Sequence, residues 1–162
     1  ADFLRRSFQL PLAQVDSLRC EEVLDKPLPE MHIRASITAL RYANKTGSRL
    51  FVPVAPLRSG PGRFTAERRH DLWIDKGYCD TDSLTLHLPE GYVVEALPKS
   101  VTIENRFGKV AFEALCSGDR LHIRIRLLRR SGRYPQSEYA AFREFMQAVD
   151  RVYSAKIVLR KV

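Results

Sequence analysis

The stretch "DRLHIRIRLLRR" at residues 119–130 decides the fold class of this chain. Its apolar and polar residues alternate, so Leu121, Ile123, Ile125 and Leu127 fall on one face of an extended strand, while His122, Arg124 and Arg126 fall on the other. A period of two of this kind predicts an antiparallel strand with one face in a hydrophobic core and the other in solvent.

The same alternation recurs along much of the chain. It is clear in "MHIRASITALRY" at residues 31–42 and in "SLTLHLPEG" at residues 83–91. Shorter candidate strands are "FLRRSFQL" near the start, "RLFVPV", "HDLWI", "YVVEAL", "SVTIEN" and "KVAFEAL". Turn sequences rich in Pro, Gly, Asn and Asp separate them, and from residue 70 onward the strands recur roughly every 8–12 residues without crossover helices. This order predicts a sandwich or barrel rather than a parallel α/β fold.

One segment has a helical period instead. In "RYPQSEYAAFREFMQAVDRVYSAKIVLRKV" at residues 133–162, apolar residues from Tyr139 and Phe142 onward are spaced three and four apart. Pro135 suits the first turn of a helix, where its missing N–H costs nothing. We expect the apolar face to cover the sheet, and residues 156–160 to form a final strand that completes a sheet edge.

The predicted fold class is therefore mainly β: an antiparallel β-sandwich of Ig-like character, with one amphipathic helix near the C-terminus followed by a final strand. The length favours a single domain over residues 1–162. Residues 13–29 have no clear period and stay unassigned, while residues 56–69 predict a flexible surface loop because Gly and Pro interrupt isolated charges. The strand-like start predicts a fragment, either a processed product or a domain cut from a longer protein.

The net charge is +8, from 27 basic and 19 acidic residues. Such a surface attracts nucleic acid, anionic lipid or acidic proteins, and it also occurs on ordinary soluble domains. Arg124 and Arg126 lie on one strand face and could follow a phosphate backbone, but the aromatic residues that would stack on bases occupy core or turn positions. Nucleic acid is therefore a disfavoured partner. No window approaches the roughly 18 consecutive apolar residues of a membrane helix, so no membrane span is predicted.

The sequence predicts no catalytic, cofactor-binding or metal-binding residues, and no cofactor. A cysteine nucleophile needs a helix N-terminus or a neighbouring imidazole. Cys20 lies in the unassigned segment, Cys79 in a predicted turn and Cys116 at a strand end. Their spacing fits neither a disulfide framework nor a zinc site, and "DTDS" at residues 80–83 predicts a solvated turn rather than a calcium loop.

Residues 69–162 carry a series of landmarks whose order and spacing are more specific than any one of them. They are the Gly77-Tyr78 turn, Asp82 before an alternating strand, "LPEGYVVEALP", Phe107-Gly108, the long alternating strand, "YP", the amphipathic helix with Tyr139, Phe142 and Phe145, and "AKIVLRK". Together they resemble the C-terminal domain of unknown function at the end of secreted bacterial proteins that have a transglutaminase-like catalytic core.

This resemblance implies a β-sandwich accessory domain that is periplasmic or extracellular and covalently downstream of the core, its partner in cis. It supplies no catalytic residue, because the Cys, His and Asp of such a core lie upstream. We therefore expect a non-catalytic role, in which the chain packs against or orients the core of a cysteine-peptidase-like protein.

Two other functions stay open. The first is a carbohydrate- or peptide-binding module, for which Trp73, Tyr78 and Tyr92 are the first candidate contacts and Arg124 and Arg126 are further surface candidates. The second, less favoured, is a basic nucleic-acid-binding domain that uses the same two arginines.

Overall fold

The structure is a computed structural model that describes residues 13–56, 64 and 67–162. The predicted strand "FLRRSFQL" and most of the predicted loop at 56–69 lie outside these residues. The chain divides into two compact units, each described by itself below: Ala1–Ala43 with Pro56–Ser59, and Asn44–Ala55 with Gly60–Val162. The single domain over residues 1–162 stays a prediction.

The first unit contains an antiparallel pair of strands, β1 (Ala13–Val23) and β2 (Glu30–Ala39). Most of the segment that the sequence left unassigned is thus strand. A β-bulge between Val15 and Ser17 shifts its alternation by one residue, which removes the period of two that would have revealed it. The expected burial of one face of the second strand is wrong, because no residue of either strand is buried and Ile33 is 40% exposed.

The second unit contains ten strands and one helix among its described residues. They are β3 (Asn44–Thr46), β4 (Arg49–Pro53), β5 (Leu72–Ile74), β6 (Tyr78–His87), β7 (Tyr92–Ala96), β8 (Val101–Asn105), β9 (Gly108–Ser117), β10 (Arg120–Arg129), β11 (Gly132–Tyr134), a 3-10 turn (Gln136–Glu138), α1 (Tyr139–Tyr153) and β12 (Lys156–Lys161). They form two four-stranded sheets, in the orders β6-β10-β9-β8 and β3-β4-β12-β7, and a short β11-β5 pair. Every strand pairing is antiparallel.

The strand β10 has the alternation that its sequence predicts. Leu121, Ile123, Ile125 and Leu127 are buried, while the intervening arginines are exposed. Its partner β6 begins earlier than predicted: Tyr78, Cys79 and the "DTDS" segment pair with β10 over its full length and do not form turns. The pairing with a ten-residue central strand outweighs the local turn preference of Gly and Asp.

The helix α1 buries one face, as its period predicts. Its buried residues are Tyr139, Phe142, Phe145, Met146, Ala148, Val149, Val152 and Tyr153. Phe142 lies at the centre of an aromatic cluster, with ring centroids 5.5 Å from Phe107, 5.8 Å from Phe64 and 6.4 Å from Tyr139. The helix is therefore a core element of the second unit.

The sequence predicts that the final strand completes a sheet edge, and this is wrong. The strand β12 lies inside its sheet, because it pairs with β4 on one side and β7 on the other. Ile157 and Leu159 on this strand are buried, which explains why the chain returns to the sheet after the helix.

The predicted fold class is otherwise confirmed: a mainly β, antiparallel fold with one helix near the C-terminus and a strand after it. In the part of the chain that the structure describes, no helix has the length and apolar character to cross a membrane.

Candidate ligand-binding site

Trp73 is the most exposed aromatic side chain among the described residues, at 74%. It is the middle residue of β5, between the buried Leu72 and Ile74. Because successive side chains of a strand point to opposite faces, the two flanking residues anchor the strand in the core and direct the indole outward. Strand pairing places Arg133 of β11 directly opposite Trp73.

An ion pair holds Arg133 beside the indole. Its Nε atom donates a hydrogen bond to Oδ2 of Asp71 at 3.2 Å, and the backbone N–H of Gln136 donates to Oδ1 of the same carboxylate at 3.2 Å. A hollow of about 390 Å³ lies here, lined by His70, Asp71, Trp73 and Arg133. An exposed pair of this kind contributes little to stability, but it orients the guanidinium next to the ring.

The chemistry of this hollow suits a small ligand with one apolar face and one polar group. An exposed indole stacks on the C–H face of a sugar or on a proline ring, while a guanidinium binds a carboxylate or hydroxyl groups in a fixed plane. A few convergent polar groups beside an apolar surface are typical of ligand sites. We refer to His70, Asp71, Trp73 and Arg133 as the Trp73 site.

The other two candidate aromatics lie in different sheets. Tyr78 is the first residue of β6 and 38% exposed, and the Arg129 guanidinium carbon lies 5.6 Å from its ring centroid. Tyr92 begins β7 and lines a separate hollow of about 540 Å³, together with Glu90 and Asp119. The three aromatics proposed from the sequence therefore do not form one site.

Arg124 and Arg126 lie on the outer face of the sheet formed by β6, β8, β9 and β10. Arg126 stands between Thr81 and Ala111 on the neighbouring strands, and Arg124 stands between Ser83 and Glu113. Within the described part of the chain, neither guanidinium has a hydrogen bond or ion pair. Tyr78 is an even-numbered residue of β6, whereas Thr81 and Ser83, which lie beside the two arginines, are odd-numbered, so the Tyr78 side chain points to the other face of the sheet. Among the described residues of these strands, the face that carries Arg124 and Arg126 thus has no aromatic side chain on which a base could stack.

The three cysteines are free and exposed. Cys79 lies opposite Leu128 in the sheet and Cys20 lies opposite Ile33, while Sγ of Cys116 donates to the backbone oxygen of Gly118 at 3.8 Å. Among residues 13–56, 64 and 67–162, no group of three or more His, Cys, Asp and Glu side chains could hold a metal ion.

Sequence reasoning identified Trp73 but missed its polar neighbours. Asp71 and Arg133 are 62 residues apart, and they meet only because the three-residue strands β5 and β11 pair. Strands this short have too few positions for a period to show, and nothing in the local sequence indicates which of them pair. The available signal in the sequence was an acidic residue two positions before Trp73, Asp71, and a basic residue next to Tyr134, Arg133.

Comparison with known proteins shows the family of this mainly β domain. Residues 48–159 match the family described as "Domain of Unknown Function with solved-structure structure", DUF3858. The chain therefore belongs to this family. No curated protein matches it.

A solved structure shows the same fold. It is a crystal structure from Parabacteroides distasonis of a protein named a "putative protease", with a TM-score of 0.54 and 13% sequence identity. The match covers 60% of this chain and 19% of that one. The chain thus spans about a fifth of the length of the protein whose fold it shares.

Proposed function

We propose that this chain is a non-catalytic accessory domain at the C-terminal side of an exported protein with a transglutaminase-like catalytic core. The observation that carries the proposal is the comparison with the Parabacteroides protein, since a fold that occupies 60% of this chain makes up only 19% of that one. In this interpretation the domain packs in cis against a larger neighbour and orients it. Its site of action is periplasmic or extracellular.

The surroundings of the cysteines favour a non-catalytic role. A catalytic thiolate is stabilised by a helix N-terminus, an imidazole or a nearby cation. Cys79 and Cys116 lie on the strands β6 and β9, and the partner described for Cys116 is a backbone oxygen, which stabilises the thiol rather than the thiolate. A nucleophile of the transglutaminase type would thus belong to the proposed upstream core.

An activity assay tests this assignment. The purified 162-residue chain is incubated with casein and with an amine donor, beside a triple variant, Cys20→Ala, Cys79→Ala, Cys116→Ala. We expect no hydrolysis or cross-linking by the wild-type chain above the level of the variant. Activity that disappears in the variant would establish a thiol enzyme and overturn the accessory role.

The Trp73 site supports a second function, binding of a glycan or peptide, because its indole is 74% exposed beside an oriented arginine. On glycan and peptide arrays, Trp73→Ala and Arg133→Ala should each weaken binding at least about tenfold, which corresponds to one aromatic or charge-assisted contact. Tyr92→Ala is the control and should leave binding unchanged. Array signals that are the same for all three variants would remove this function.

A further inference from the structure

An apolar groove lies between the strand β8 and the last turns of α1, within the second unit. It is lined by Val101 and Ile103 of β8 and by Ala148 and Val152 of α1, with Phe112 of β9 also contributing to the lining. Its volume is about 160 Å³. Since a cavity of about 150 Å³ accommodates benzene, this groove has room for one aromatic or branched aliphatic side chain.

One edge of β8 is available for strand addition. In the described residues, β8 pairs with β9 on one side and no strand pairs with it on the other. An unpaired edge presents N–H and C=O groups that can hydrogen-bond an added strand. Alternate side chains of that strand would point to the same face of the sheet as Val101 and Ile103, and therefore into the groove.

Two cations line the groove, and one of them lies where β8 begins. Lys99 comes just before β8, Arg151 lies in the last turn of α1, and both are exposed and line the groove. Among the described residues neither side chain takes part in an ion pair. Their two full charges outweigh the roughly half negative charge at the C-terminal end of a helix, so an anion is favoured beside them.

We propose that this groove binds the C-terminal segment of a partner protein as an added strand antiparallel to β8. The last side chain of the partner, which is apolar, fills the groove, and its terminal carboxylate lies between Lys99 and Arg151. An antiparallel strand ends where β8 begins, next to Lys99, which lines the apolar groove together with Arg151. This site lies on different elements from the Trp73 site, and its use does not depend on packing against an upstream core.

Fluorescence anisotropy with a defined peptide tests the proposal. The probe is fluorescein-labelled Gly-Ser-Thr-Val-Thr-Phe with a free C-terminus, titrated with the full chain. We expect saturable binding that weakens at least about tenfold when the last Phe is replaced by Ala, or when the C-terminus is amidated. The double variant Lys99→Glu, Arg151→Glu should lose at least about tenfold, while Lys76→Glu, an exposed control, should bind like the wild type.

The backbone part of the proposal has its own test. Because only every second amide of an added strand faces β8, N-methylation of the peptide should weaken binding at alternate positions and not between them. Circular dichroism confirms that each variant is folded. Absence of binding at millimolar concentration, equal binding of the amidated peptide, or uniform effects of N-methylation would each overturn the proposal. So would a dimer of the wild-type chain that the double variant dissociates, because the groove would then hold a second copy.

Discussion

Gly108 of β9 has no room for a side chain against the neighbouring strand β10. A Cβ atom at this position would lie 2.0 Å from the backbone oxygen of Leu128 and 3.2 Å from the Phe145 ring. The strands β9 and β10 would have to separate, so Gly108→Ala should lower the free energy of unfolding by about 2–3 kcal/mol in urea melts. Gly118→Ala is the control: its space is open and only its φ of +60° disfavours a side chain, at about 1 kcal/mol. Equal losses in the two variants would show that β9 and β10 can move apart freely.

Phe142 should be the residue of α1 whose truncation costs most. Its ring meets three other aromatic rings and is 4% exposed. We expect Phe142→Ala to lower the free energy of unfolding by roughly 3–5 kcal/mol. Gln147→Ala, on the exposed face of the same helix, should change it by less than about 0.5 kcal/mol. A Phe142→Ala protein as stable as wild type would mean that the helix does not pack as described.

Asp82 makes the stability depend on pH. Burial raises the pKa of Asp82, a hydrogen bond with Tyr153 lowers it, and the charge of Asp80 raises it again, with a net increase. The folded state thus holds this proton more tightly than the unfolded chain, so its contribution is fully present below the unfolded pKa and is lost as the pH rises through the folded pKa. Asp82→Asn removes the charge and keeps an acceptor for Tyr153.

The Asp82→Asn variant should therefore be more stable than wild type near pH 7, and the difference should vanish at about pH 3, where the wild-type carboxyl is protonated in both states. Thermal melts at the two pH values measure this. Asp75→Asn removes one charge from an exposed position and serves as the control. A difference between wild type and Asp82→Asn that grows as the pH falls would contradict the assigned direction.

At the scale of elements, the sequence predicts best where one period runs unbroken. The strand β10 and the helix α1 keep their periods over 10 and 15 residues, and both are found with the predicted buried faces. The strand β1 could not be predicted because its bulge breaks the alternation and its residues are mostly polar. The start of β6 was mispredicted for a different reason: its pairing with β10 is a long-range contact that local turn preference does not show.

The described strands should also differ in protection from hydrogen exchange. The strand β10 is paired on both sides and carries four buried side chains, whereas β1 and β2 pair only with each other and have no buried residue. An isolated two-stranded ribbon is marginally stable in water. Amides of β10 should therefore exchange only through global unfolding, and those of β1 and β2 should exchange first. Equal protection of both groups in a mass-spectrometric experiment would contradict this ranking.

At the scale of the whole molecule, the two units have different roles in the fold. All buried hydrophobic residues described lie between Val52 and Leu159, within the second unit and within the residues that match the family, 48–159. The landmarks on which the resemblance rests all lie within this second unit. The Trp73 site and the groove beside β8 depend on long-range strand and helix packing, so the sequence showed single residues of these sites but not their neighbours.

The measurement that tests the central claim most directly is a calorimetric titration of this chain into the separately produced upstream part of the longer protein that we propose. An accessory domain that packs in cis should bind this part saturably with a stoichiometry of one to one, and heat should be absent when an unrelated β-sandwich domain of equal charge replaces it. Absence of binding at the highest soluble concentration, together with an upstream part that is equally stable and active without this chain, would contradict the proposed function.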